Sequence, residues 1–481
     1  MEFWKKYKHV VIAAVIFAVL ALILPENNGL TRTGVYTLSF MVSTIYLWLT
    51  VGLGWPSILC IAMAILFQSL GSSSAVFAAS LGSLPITYAL MVILLNNCLV
   101  DLGVIEKIAF WFLTRRFVKG RPWAFVTMFI LSGWFIGLFM DPTAIVIVYM
   151  AFTKSICDAM GYEQGHKFGT VLAFGSFASI SAACGATPIG HVIPTLVMAM
   201  AETFTGESVS VAKYSLIGVP VTLLFTIIVI LVLRFTTKVD MSKFDSYDAV
   251  AVRNAQPKLS GAAKFVSVLF VLVCIAWLMP ELKFFGALST YCNTIGLAGA
   301  PAVAVVLLCI IRNKDTGKPI IAFDEAVKKV PWSVLIFVGA VMMMGSMINA
   351  DATGIRGFLV ALFMPLGEVL SPAMIVIVGM LAALIMTNFL SNSVSQTIVF
   401  TVFAPILLSQ SGSFISVGGF AVLCAIAVQL AIMTPPCSGH SAYCFNSGYV
   451  TTKDGWKYGI PITILACVLL SCFAPIASMV M

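Results

Sequence analysis

Apolar runs of membrane-spanning length recur from one end of this chain to the other, and they restrict the fold more than any single motif. Candidate spans are read at 9–24, 34–53, 55–70, 84–100, 169–200, 214–236, 262–280, 284–311, 331–349, 416–436 and 459–480. Each is close to the roughly 20 apolar residues that carry a helix across a bilayer. Backbone polar groups find no water in hydrocarbon, so such segments satisfy their hydrogen bonds internally, as helices. A chain that is 60% hydrophobic and 10% charged is neither a soluble globular domain nor a disordered one. The reading is an all-α polytopic membrane protein with about 11 transmembrane helices, plus two segments, 123–160 and 371–410, that behave differently.

The opening MEFWKKYKH followed by an apolar run resembles a signal peptide, but PENNG stands where small cleavage-site residues belong, so it is read as an uncleaved first span. The 12 cysteines are scattered through apolar segments without CxxC pairs, as expected of small buried side chains rather than a disulfide framework or metal site. The net charge of +8 does not call for nucleic acid. Its bases gather in a few connecting segments: Lys5 to Lys8, Arg115 to Arg121, Lys238 to Lys264, Arg312 to Lys329, and Lys453 with Lys457. Under the positive-inside rule all are cytoplasmic, which puts the N-terminus inside, the C-terminus outside, and the protein in a cell membrane, with a bacterial inner membrane favoured. Glu202 with Glu207, and Asp351 with Glu368, fall on the opposite side.

The same punctuation occurs twice in order. Pro85 in SLPITYALMVILL returns as Pro331 in VPWSVLIFVGAVM; LVDLGVIEKIAFWF resembles NADATGIRGFLVALF; TPIGH (187–191) returns as TPPCSGH (434–440); KYSLIGVPVT (213–222) returns as KYGIPIT (457–463). The separations, from Pro85 to Pro331, Thr187 to Thr434 and Lys213 to Lys457, are 246, 247 and 244 residues. A duplication accounts for this order. The chain then divides into an extra N-terminal helix (1–33), a first repeat (34–236) with segment 123–160, a cytoplasmic linker (237–261), and a second repeat (262–481) with segment 371–410. An odd number of crossings in the first unit makes the repeats inverted, an arrangement that puts the substrate site at the midplane and suggests alternating access.

Within the two unusual segments, Asp141-Pro142-Thr143 aligns with Ser391-Asn392-Ser393. Only AIVIVYMAFT separates Thr143 from Lys154, and IVFTVFAPILL precedes SQSGS; at 1.5 Å per residue neither arm crosses ~30 Å of hydrocarbon. Each segment is read as a re-entrant hairpin with its tip near the midplane. A helix starting at such a tip offers unpaired N–H groups to an anion. Ser391 and Ser393 hydroxyls suit a small cation, while the Asn392 amide can donate to a carboxylate and accept or coordinate through its oxygen. Pro188, and Pro435 with Pro436, remove helix hydrogen bonds beside Gly185, Gly190 and Gly439, freeing carbonyls at a helix break.

With these motifs in place, the chain resembles the divalent-anion/sodium symporter family of dicarboxylate and citrate carriers over nearly its whole length. The family bears Ser-Asn-Thr at each hairpin tip; Ser391-Asn392-Ser393 matches the second, and Thr387 stands where the family has a sodium-site hydroxyl. Thr187 and Thr434, with Pro188 and Pro435, resemble helix-break residues that flank sodium and substrate. The resemblance implies substrate contacts at Ser391, Asn392, Ser393, Thr143, Thr187, Pro188, Thr434 and Pro435. It implies sodium contacts at Asp141, Gly185, Thr387, Asn392 and Thr434. It also implies a homodimeric elevator with sodium as coupling ion and no organic cofactor. The departure is Asp141-Pro142-Thr143 in place of the first Ser-Asn-Thr, with Gly137 where a matching hydroxyl is expected. An Asp at hydrocarbon depth is a functional candidate by default; equally, it is a good N-cap before Pro142 at the first helical position.

His191 and His440 recur with the TP motifs and suit either a proton relay, an anion contact, or a hydrogen bond to a broken-helix carbonyl, the last being favoured. Methionines such as those of MMMGSM (342–347) read as adaptable packing. No HExxH, no second membrane Asp to pair with Asp141 and no P-loop supports an intramembrane enzyme or primary pump. The expected function is sodium-coupled secondary active transport of a small organic or inorganic, carboxylate-like anion, with that anion, the bilayer and a second copy of the chain as partners and no nucleic acid. A proton-coupled carrier, an anion exchanger and a passive anion channel are the competing readings.

Overall fold

The structure is a computed structural model that describes residues 2–244, 249–255, 258–409 and 415–481. Parts of the linker, 245–248 and 256–257, and residue 410 at the end of the second hairpin segment lie outside the described residues.

Helices α1 (Glu2–Ile23), α2 (Arg32–Thr50), α3 (Gly54–Leu66), α4 (Ser73–Ala79), α5 (Leu84–Asp101) and α6 (Val104–Leu113) lead to the first hairpin segment. That segment is α7 (Pro122–Gly137) and α8 (Pro142–Ala159), followed by α9 (Lys167–Ala183), α10 (Val192–Thr205) and α11 (Val211–Thr236). After the short α12 (Ala249–Ala255) come α13 (Gly261–Leu278), α14 (Ala287–Ile310), α15 (Phe323–Lys328), α16 (Trp332–Asn349) and α17 (Ile355–Val369). The second hairpin segment is α18 (Pro372–Thr387) and α19 (Asn392–Ser409), followed by α20 (Val417–Gln429), α21 (Ser441–Phe445) and α22 (Thr452–Val480). Among the described residues the protein is all-helical, with one isolated bridge between Arg312 and Pro319.

The helix starts follow from local chemistry. Hydroxyls of Thr31, Ser210, Ser260, Ser371 and Ser416 accept from backbone N–H groups three residues on, and Thr451 with Asp454 forms a reciprocal capping box. Proline opens α7, α8 and α18 at the first turn, where its missing N–H costs nothing.

Among the described residues seven helices are long and apolar enough to cross a membrane: α5, α8, α11, α13 with the turn after it, α14, α16 and α22. Apolar helices of 10–17 residues accompany them. The centre is occupied by α9, buried from Phe168 to Ala183, and by α20, buried from Gly419 to Gln429. A helix apolar all round belongs in such a place. By contrast α13 and α14 turn Val268, Val271, Tyr291, Val303, Val306 and Ile310 outward, as a lipid-facing surface requires.

Three differences from the expected spans have physical causes. The run 169–200 is two helices, because TPIGH interrupts it between Ala183 and Val192. The run 416–436 stops at Gln429, before the 3-10 turn at Pro435–Cys437. The arm after Asp141 is longer than its apolar run, since α8 continues past Lys154 to Ala159, where Lys154 and Asp158 pair at 2.5 Å on the exposed surface. At 18 residues, α8 is about 27 Å long, long and apolar enough to cross a membrane, so the expected shortness of this arm is not found and its length does not by itself require a re-entrant turn.

Several basic side chains make contacts with parts of the chain distant in sequence. Lys243 Nζ donates to the Gly161 carbonyl (3.0 Å), Arg253 Nη1 to Thr114 Oγ1 (3.2 Å), Lys167 pairs with Asp454 (3.4 Å) and Lys329 with Asp101 (2.7 Å). At the turn between α1 and α2, Thr31 Oγ1 donates to the Ala352 carbonyl at 2.7 Å, so this turn sits beside Asp351.

Candidate functional site

The two hairpin turns, 138–141 and 388–391, have the same backbone description residue for residue. In each, the threonine of the TP break donates its hydroxyl to the carbonyl of the turn's first residue: Thr187 Oγ1 to Leu138, and Thr434 Oγ1 to Asn388. The breaks are thus fastened to the tips. Glycines on the closing helices press against the same loops: a side chain at Gly218 of α11 would collide with the Ala186 carbonyl, and one at Gly459 of α22 with Met433.

A cavity of about 650 Å³ lies where these parts meet. Asp141, Thr143, Pro188, Ser391, Asn392 and Ser393 line it, as do His191 and His440. Helix α5 contributes Tyr88, Asn96 and Asn97, and Lys329 stands at its edge. The first turns of α8, α10 and α19 all face it, through Thr143, through Val192 and Ile193, and through Asn392 and Ser393. The N-terminal ends of three helices, with the positive ends of their dipoles, therefore border one space, which favours an anion there, although the Thr143 and Ile193 amides are themselves capped by Asp141 and His191.

Thr187, Gly185, Thr387, Thr434 and Pro435 stand behind this surface rather than on it. The Gly185 carbonyl accepts from Tyr214 OH at 2.9 Å, and the Pro435 carbonyl from Ser441 Oγ at 2.5 Å. Thr387 is buried, with Oγ1 2.8 Å from Asn392 Oδ1 and 2.7 Å from the Val428 carbonyl. Its single proton serves one of them at a time. Three hard oxygens so close together are a donor set suited to a small cation. The first half has no equivalent: a side chain added at Gly137 would lie 2.8 Å from Ala183 Cβ and 3.2 Å from the Ile180 carbonyl. Close packing of α7 on α9 explains the missing hydroxyl.

Asp141 is an N-cap, its Oδ1 accepting from Thr143 N at 2.9 Å, and it also lines the cavity; the two readings of this residue are geometrically compatible. Asn392 is engaged at both ends, with Nδ2 donating to Gln429 Oε1 at 2.7 Å and Oδ1 accepting from Thr387. The histidines depart from expectation. Instead of donating to a carbonyl, His191 accepts at Nδ1 from Ile193 N (3.3 Å) with Gln429 Nε2 at 3.0 Å, while His440 Nε2 meets Ser181 Oγ at 2.8 Å.

Sequence reasoning passed over Asn388, Gln429 and Tyr88. Asn388 Oδ1 accepts from Ile432 N (3.1 Å) and Met433 N (2.8 Å), and its Nδ2 donates to the Leu384 carbonyl (2.7 Å). Tyr88 OH donates to the Pro188 carbonyl at 2.7 Å. A signal existed for Gln429, the lone amide in the run AVLCAIAVQLAIM, and for Asn388, which sits inside the polar stretch itself.

Residues 3–480 match the family described as the sodium:sulfate symporter transmembrane region. The sodium-dependent dicarboxylate transporter SdcS of Staphylococcus saprophyticus is 25% identical over 357 residues, covering 71% of this chain and 67% of its own length. SdcS of Staphylococcus aureus is 26% identical over 365 residues, covering 71% of this chain and 66% of its own. The match therefore reaches about two thirds of each relative. Among solved structures, the YdaH transporter of Alcanivorax borkumensis aligns at TM-score 0.56 and 14% identity, covering 92% of this chain and 98% of that one. MtrF of Neisseria gonorrhoeae, described with a class of antimetabolite efflux pumps, aligns at 0.56 and 14%, covering 88% and 85%. At that identity the likeness concerns the fold alone.

Proposed function

Because the chain belongs to the sodium:sulfate symporter transmembrane family, a family of transporters and not of enzymes, we propose that it is a secondary active carrier moving a small carboxylate-like anion together with sodium. The observation that carries this reading is the convergence of three helix N-termini and both hairpin tips on one cavity. The anion would sit against Thr143, Pro188, Ser391, Asn392 and Ser393. Sodium would be held by Thr387, Asn392 and the Val428 carbonyl, with Asp141, Gly185 and Thr434 as further candidates. Names of the relatives, sodium-dependent dicarboxylate transporters, support the ion and the class of substrate.

The mechanism that fits is an elevator. The two hairpins and broken helices, tied together by Thr187 and Thr434, would move as a unit against a scaffold built from about α1 to α5 and α13 to α16, in a homodimer. Two inverted repeats with re-entrant tips would supply the geometry for alternating access. Lys329, from a segment read as cytoplasmic, edges the cavity, so this conformation would be open inward. The N-terminus would be cytoplasmic and the C-terminus outside.

The test is uptake by proteoliposomes offered mono- and dicarboxylates, sulfate and sulfonates under an inward sodium gradient. Saturable uptake that collapses when potassium replaces sodium is expected. Uptake driven by a proton gradient without sodium would favour proton coupling, for which Asp141 on the cavity wall is the carboxylate available. Ohmic anion current independent of sodium would overturn the carrier in favour of a channel.

A further inference from the structure

The first hairpin tip lacks the Asn that would donate to an anion, and Asn392 of the second tip has its amide turned to Gln429. A chain of hydrogen bonds shows where a replacement donor is held. Thr387 Oγ1 lies at 2.8 Å from Asn392 Oδ1, Asn392 Nδ2 donates to Gln429 Oε1 at 2.7 Å, and Gln429 Nε2 then faces His191 Nδ1 at 3.0 Å. Because its oxygen is taken by Asn392, Gln429 presents N–H to the histidine. The Ile193 N–H also points at Nδ1, at 3.3 Å. With two donors aimed at it, Nδ1 is the unprotonated nitrogen, and a neutral imidazole so held carries its proton on Nε2. Among the described residues Nε2 has no hydrogen-bond partner, and His191 lines the cavity. We propose that His191 Nε2–H is the anion-binding donor of the first half, kept in that tautomer by Gln429 from the second half, and that it grips one carboxylate oxygen of the substrate.

This rests on reading the cavity as the substrate site. It also makes the donor set one-sided: in the first half a neutral N–H from the N-cap of α10 shares the cavity with the Asp141 carboxylate. Gln429 is a positioning residue, acting through the imidazole.

The experiment uses the full chain in nanodiscs with ¹⁵N-labelled histidine, His191→Phe assigning the His191 signals. Nδ1 is expected to give the unprotonated signal and Nε2 the protonated one, and acetate or succinate added with sodium should shift the Nε2–H resonance. Uptake should agree: His191→Phe should raise the substrate KM roughly tenfold or more, the scale of one hydrogen bond to a charged group, with the sodium concentration for half-maximal uptake unchanged. His191→Gln, which keeps an N–H donor, should recover part of that loss, and Gln429→Glu, which places an acceptor on Nδ1, should move the proton there and weaken binding. A proton on Nδ1 in the wild type, or an Nε2–H signal that no anion moves while uptake proceeds, would overturn the proposal and leave the carrier standing. An anion-dependent shift without any uptake would do the reverse, and neither shift nor uptake would sink both. If His191→Phe fails to fold, His191→Gln assigns the His191 signals in its place and the wild-type spectra then decide.

Discussion

At the scale of single residues, the polar tip of the second hairpin is a closed network rather than a row of free groups. Asn392 joins Thr387 to Gln429, so Asn392→Ala should cut sodium-dependent uptake by roughly ten- to a hundredfold, as loss of a buried amide that also serves an ion would. Uptake near wild type from well-folded Asn392→Ala protein would remove the tip from the site. Ser393→Thr keeps the hydroxyl and should be tolerated. Asp141 brings negative charge to the same cavity, and like charges repel strongly where water is scarce. A substrate with one negative charge, or a dianion carrying a proton, should therefore be taken in preference to a full dianion. Asp141→Asn keeps the cap on Thr143 and deletes the charge, so competition assays should show selectivity moving toward dianions. Unchanged selectivity would leave Asp141 with the cap alone.

The elements owe their shape to backbone groups freed at the breaks. Ile432 N and Met433 N would be unsatisfied and buried without Asn388 Oδ1. Losing an acceptor for two buried donors costs on the order of 2–4 kcal/mol, so Asn388→Ala should lower the midpoint of thermal unfolding clearly. The helix breaks themselves were legible from Pro188 and Pro435, because a proline cannot continue the ladder. Their fastening to the tips was not: Thr187 and Leu138 are far apart in sequence, and nothing in a threonine says which carbonyl it will meet.

For the whole molecule, apolar length and the clustering of bases carry most of the argument for a membrane protein with one basic face. Cysteines placed at Lys314 and Asp351, both exposed, test its orientation in a background without Cys472, the exposed one among the native thiols. An impermeant thiol reagent should label Asp351→Cys in intact cells and spare Lys314→Cys. Equal labelling would overturn the inverted arrangement.

Sequence alone determined the class of fold, the places where helices break, the recurrence of one pattern in two halves, and the tip residues Asp141, Thr143 and Ser391 to Ser393 as candidates, because period, apolar length, proline and capping chemistry act over a few residues. Tertiary structure decided what those residues do to one another. It buried Thr387 beside the Val428 carbonyl, left no room for a hydroxyl at Gly137, and turned Gln429 toward His191. Such contacts join atoms 41 residues apart for Thr387 and Val428 and 238 apart for His191 and Gln429, and their geometry depends on how closely α7, α9, α10 and α20 pack, which no local pattern encodes.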